Sequence, residues 1–97
     1  MQLKNYMEEV VKYAVEEILH DINVCQCERC KLDIIAKSLN DLPPKYVITP
    51  KGEVYSKINK LRNQFEVDVI AAVTKAAILV KRNPSHDEHG NDRERNL

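Results

Sequence analysis

The sequence predicts an all-α protein, a small four-helix domain with a zinc knuckle between its first two helices, assembled as a homodimer. Three observations carry that expectation. Apolar residues recur at helical spacing through most of the chain. All three cysteines, Cys25, Cys27 and Cys30, fall within six residues between the first two periodic stretches. The last periodic stretch is apolar almost all the way round, so it needs cover on more than one side, and a chain of 97 residues has little cover to offer.

The first helix is expected from Leu3 to Leu19, where Leu3, Met7, Val10, Ala14 and Ile18 form one stripe that Val11 and Val15 widen. Its polar side carries mostly glutamates, which suits a core-forming helix rather than one lying on a membrane. His20, Asp21 and Asn23 close it. Cys27 to Asn40 reads as the second helix, with Leu32, Ile35, Ala36 and Leu39 on its apolar face and Lys31, Lys37 and Ser38 elsewhere. Asn40 is suited to cap its end, and Pro43 and Pro44 prevent continuation.

Lys45 to Thr49, KYVIT, is short and bounded by prolines, so it reads as an extended connector. A lone strand there would need a partner that the sequence does not offer unless a second copy of the chain supplies it. After a turn at Lys51 and Gly52, a third helix is expected near Glu53 or Val54, with Val54, Ile58, Leu61 and Phe65 on one face. The fourth runs from Glu66 to Arg82 and stops at Asn83-Pro84, with Lys81 and Arg82 at its negative end. Its apolar character nearly all the way round is the reason for predicting a homodimer. Residues 1–84 thus form a helical domain, and residues 85–97 a flexible acidic tail.

Composition excludes little but orders the alternatives. Lys and Arg equal Asp and Glu at 15 each, so no global charge argues for nucleic acid, and direct nucleic-acid binding stays an open third reading. Residues 45–82 are nevertheless basic, with eight cations against three anions, while residues 1–44 have five against eight. There is no charged-then-apolar leader, and the longest apolar run, Val69 to Val80, is too short to span a bilayer. A cytoplasmic protein is expected. There, three clustered cysteines point to metal or redox chemistry rather than a disulfide framework.

Zinc favours tetrahedral sulfur and nitrogen ligands, and Cys-x-Cys-x2-Cys can place three thiolates round one ion. His20, His86 and His89 are the candidates for a fourth ligand. A tail histidine, His86 or His89, is favoured because it would clip the last helix to the second and close a long loop. Three inert thiols and a redox pair are the competing readings. The redox pair ranks lower because its usual signature follows a strand, and none is expected here. Three thiolates make zinc a poor Lewis acid, an iron–sulfur cluster wants a fourth cysteine, and no nucleophile, phosphate-cradling or paired-carboxylate motif stands out. The chain is therefore not expected to be an enzyme.

The run CQCERCKLDIIAKSLNDLPPKYVITPKGEVYSK resembles the signature of the late competence development protein ComFB family. The matching positions are Cys25, Cys27, Cys30, Asp33, Ala36, Leu39, Asn40, Leu42, Pro43, Pro44 and Tyr46. The resemblance implies a dimeric, cytoplasmic, all-α bacterial protein that holds zinc through cysteines. It also implies encoding in competence operons beside a DNA-translocating helicase, a possible partner in DNA uptake. Family members with a fourth cysteine place it toward the C-terminus, where this chain has only His86 and His89. Some relatives look like cyclic-dinucleotide receptors, which makes cyclic di-GMP or cyclic di-AMP the alternative ligand. Basic side chains such as Lys31 would then pair with phosphates and Tyr46 would stack on a purine, with Lys31, Asp33, Asn40 and Tyr46 as the candidate ligand-binding set.

Overall fold

The computed structural model describes residues 1–49, 60 and 62–83. It is mostly helical, but not all-α: strand β1 (Gln2–Asn5), helix α1 (Tyr6–Ile18), helix α2 (Glu28–Asn40), strand β2 (Tyr46–Thr49) and helix α3 (Glu66–Arg82) follow in order. The two strands pair antiparallel with Leu3 opposite Ile48 and Asn5 opposite Tyr46. The connector KYVIT is therefore a strand, and its partner is the chain's own N-terminus rather than a second copy.

The correction has a local cause. Leu3 is in helical phase with Met7, which draws the sequence pattern three residues too far upstream, yet Leu3 is 73% exposed on the sheet. Asn5 sets the true start of α1. Its backbone is extended, and its side-chain oxygen accepts the Met7 N–H as an N-cap. The same oxygen accepts the Lys45 N–H at 2.8 Å, while the Tyr6 N–H donates to the Lys45 carbonyl at 2.9 Å. One side chain thus ends a strand, begins a helix and holds the segment that becomes β2.

α1 buries the expected face, with Met7, Val10, Val11, Ala14 and Val15 all in the core and Tyr6 beside them. In α2 the buried face is rotated from the expected one: Cys30, Ile34 and Ser38 point inward at intervals of four, Ile35 and Leu39 are partly buried against the core, and Leu32 is 53% exposed. A hydroxyl does not register in an apolar pattern. Ser38 can nevertheless be buried because its hydroxyl donates to the Ile34 carbonyl at 2.7 Å, leaving no unmet polar group. Cys27 stands just before α2 as its N-cap, and Asp41 rather than Asn40 is the C-cap.

α3 keeps the bounds that the sequence predicts. Val69, Ala72, Val73, Ala76, Ala77 and Val80 face the core, and acidic Glu66 and Asp68 at its start and basic Lys81 and Arg82 at its end suit the helix dipole. α3 packs on both α1 and α2, most extensively on α2. Residues 62–64 are also helical, but Val54, Ile58 and Leu61 of the expected third helix lie outside the described residues. So does the tail. Phe65 is half-buried against the core, with the Lys45 ammonium 4.9 Å from its ring centre. No described helix is long and apolar enough to cross a membrane.

The start of α1 is bonded to the residue before β2, and its end to the loop before α2, so α1 and α2 run antiparallel. The sheet lies at one end of this pair and the cysteines at the other. Replacing Asn5 with Ala removes acceptors for two backbone donors and should cost about 1–2 kcal/mol. Urea unfolding should show a lower midpoint with unchanged slope. Asn5→Asp, which keeps an acceptor, should retain most of the stability, and an unchanged midpoint for Asn5→Ala would contradict this role.

Candidate metal centre

α1 ends at Leu19, whose N–H still bonds the Val15 carbonyl, and the chain then turns through His20 and Asp21. The loop that follows is folded back on the helix end by Gln26, whose side-chain amide donates to the Leu19 carbonyl at 2.8 Å. This fixes the residue between Cys25 and Cys27. Sequence reading missed Gln26, and its position between two cysteines was the only available hint.

Cys27 has the extended backbone of an N-cap, and its sulfur accepts the Cys30 N–H at 3.4 Å. Its carbonyl accepts the Lys31 N–H at 3.0 Å, starting the helical ladder. Cys30, one turn in, points to the core and is buried, whereas Cys25 and Cys27 are exposed. The three sulfurs lie within 4.8 Å of one another. Tetrahedral zinc with bonds near 2.3 Å would place its sulfurs about 3.8 Å apart, so the three can close on one ion with small adjustments.

The electrostatics favour a thiolate at Cys25. The Cys25 thiol is held below its ordinary range first by the backbone N–H of Cys27, with help from the Cys27 and Cys30 side chains, while partial burial opposes the shift. A helix N-terminus adds positive potential at the same place. Three convergent sulfurs, one anchored in the core and two open to solvent, form a cluster that could hold a metal ion.

The structure brings Cys25, Cys27 and Cys30 together and does not add His20, which is exposed in the turn after α1. His86 and His89 lie outside the described residues. The candidate ligand-binding residues are dispersed. Lys31 pairs with Glu16 at 3.1 Å and Asp33 with Lys37 at 3.9 Å. Asn40 ends α2, nine residues and about 13 Å along the helix from Lys31. Tyr46 is 64% exposed on the sheet. A surface groove between α1 and α2, lined by Lys12, Glu16, Gln26, Glu28, Lys31, Leu32 and Ile35, takes in only Lys31 of these four.

Residues 4–84 match the model of the family described as late competence development protein ComFB. The chain is 29% identical over 84 residues to the competence protein ComFB of Bacillus subtilis (strain 168), a match that covers 86% of each sequence. A solved structure of the late competence protein ComFB from Bacillus subtilis superposes with a TM-score of 0.71 at 28% identity, covering 87% of this chain and 93% of that one. The sequence match takes in both the cysteine cluster and the segment through Tyr46, and the fold carries the same likeness across the helices. The chain belongs to the late competence development protein ComFB family.

Proposed function

We propose that this protein is a non-enzymatic, zinc-binding accessory or adaptor protein of bacterial competence for DNA uptake, working in the cytoplasm as a homodimer. The observation that carries the metal reading is the convergence of three sulfurs at the start of α2. Zinc is the ion that best suits clustered thiolates in a small domain without redox demands, and in this role it is structural. It fastens the loop after α1 to the first turn of α2, with a histidine completing the shell, His86 or His89 before His20.

The competence role is supported by family membership, and its partners would be other competence proteins, a DNA-translocating helicase among them. Support for the homodimer comes from α3. Val67, Ile70, Ile78 and Leu79 are large apolar side chains left exposed on a helix whose opposite face is already buried. Ile70 and Ile78 are two turns apart and share a face, as a helix-to-helix contact between copies requires.

Protein purified without added metal should carry about one zinc per chain by elemental analysis. Cys27→Ser should lose most of it and unfold at a lower temperature; a metal-free, fully folded wild type would refute the reading. For the dimer, Ile70→Asp combined with Ile78→Asp should leave the helical circular dichroism unchanged. The same variant should shift sedimentation equilibrium from two chains to one, and a monomeric wild type would rule the assembly out.

A further inference from the structure

Cys27, Glu28, Arg29 and Cys30 form a Cys-x-x-Cys unit laid on a helix N-terminus. Its first sulfur sits at the N-cap and is exposed, and its second is one turn in and buried. The two are already in contact through the backbone, since the Cys27 sulfur accepts the Cys30 N–H at 3.4 Å. Residues at i and i+3 of a helix start lie on one side of the turn, so a disulfide between them needs little backbone movement. A bond between Cys25 and Cys27 would instead close a much tighter ring. The strand that usually precedes such a pair is absent, as the sequence predicts, but the strand is not what brings the sulfurs together. The cap geometry does that, and it is present here.

From this we infer that Cys27 and Cys30 are a thiol–disulfide exchange site for low-molecular-weight disulfides, and that the same two sulfurs release the metal when they oxidise. The release half rests on the zinc reading given above; the exchange half does not. In the first step the exposed Cys27 thiolate attacks one sulfur of a small disulfide such as oxidised glutathione. The S–S bond breaks, one glutathione thiolate leaves and takes up a proton, and a mixed disulfide forms on Cys27. In the second step the Cys30 thiolate attacks the Cys27 sulfur and expels the second glutathione. Two protein thiols are oxidised by two electrons, and one disulfide is reduced to two thiols.

The order follows from exposure. Cys27 is open to an incoming disulfide, whereas Cys30 is buried and reached only from within the cluster. Once the bond has formed, a metal that had three sulfur ligands keeps only Cys25. Oxidation also leaves Cys30 in its core position, because the new bond joins it to its existing hydrogen-bond neighbour. The helix start therefore stays closed while the metal site is dismantled.

The sequence provides a direct readout. Trypsin cuts after Arg29, between the two cysteines, and again after Lys31. Oxidation of the zinc-loaded full chain with excess oxidised glutathione should leave the peptide ending at Arg29 joined to Cys30-Lys31, and dithiothreitol should part them. Intact mass should fall by two hydrogens with no added glutathione, which distinguishes an internal bond from a dimer or a stable adduct. Cys25→Ser should still give the joined peptides, which assigns the bond to Cys27. Zinc release from wild type, followed with a chromogenic chelator, should track the joining. Separate peptides in Cys25→Ser, or joined peptides in wild type with zinc retained, would overturn the inference. Joined peptides in a chain that never held zinc would instead refute the metal reading and leave the exchange site standing.

Discussion

Cys30 belongs to two structures at once, and the rest of the molecule is arranged around that overlap. Its side chain is wholly buried among the residues of the hydrophobic core, yet its sulfur lies within 4.8 Å of two exposed thiols. The loop itself reaches the core only through the partly buried Ile22 and Val24. Through Cys30, whatever binds the cluster is coupled to the packing of α1, α2 and α3. The coupling runs in both directions, because displacement of α2 would separate the sulfurs as surely as loss of a ligand would loosen α2.

The antiparallel pair of α1 and α2 is closed at both ends, by different chemistry at each. At one end Asn5 gathers two backbone donors onto one oxygen and sets the two-stranded sheet against the helix start. At the other, Gln26 folds the loop onto the end of α1, and Cys27 caps α2 with sulfur. A two-stranded sheet has little stability of its own, and so has a cysteine loop. Each becomes a tie because the helices between them already share an apolar core. Among the described residues, the ion pairs lie at or near the surface, and they add little beside that burial.

Much of this was legible in the residues, and the misses have identifiable causes. The stripe of α1 from Met7 to Val15 and the full length of α3 follow from periodicity, because in both the core is made of hydrocarbon side chains. The face of α2 was legible only in part: Ile35 and Leu39 pack against the core, but the fully buried line of Cys30, Ile34 and Ser38 was not read, since Ser38 is in the core through a satisfied hydroxyl that hydropathy does not mark. The strands were missed for a different reason. Leu3 continues the helical phase of Met7, and only a residue far along the chain, Lys45, shows that Asn5 is a cap and not a helix interior. The cysteine cluster was legible from spacing alone, but its division into one buried and two exposed sulfurs was not, because that depends on which face of α2 meets the core.

That division decides what the cluster can do. Three sulfurs equally buried would hold an ion firmly and react with nothing; three equally exposed would react freely and organise nothing. Here the Cys27 N–H favours thiolate at exposed Cys25, while Cys30 is kept in place by packing rather than by the ligand it shares. The sheet at the far end of the helix pair makes none of its bonds with residues 20–30. A change at the cysteines therefore reaches the rest of the molecule through Cys30 and the packing of α2, and the loop after α1 is the part that meets it first.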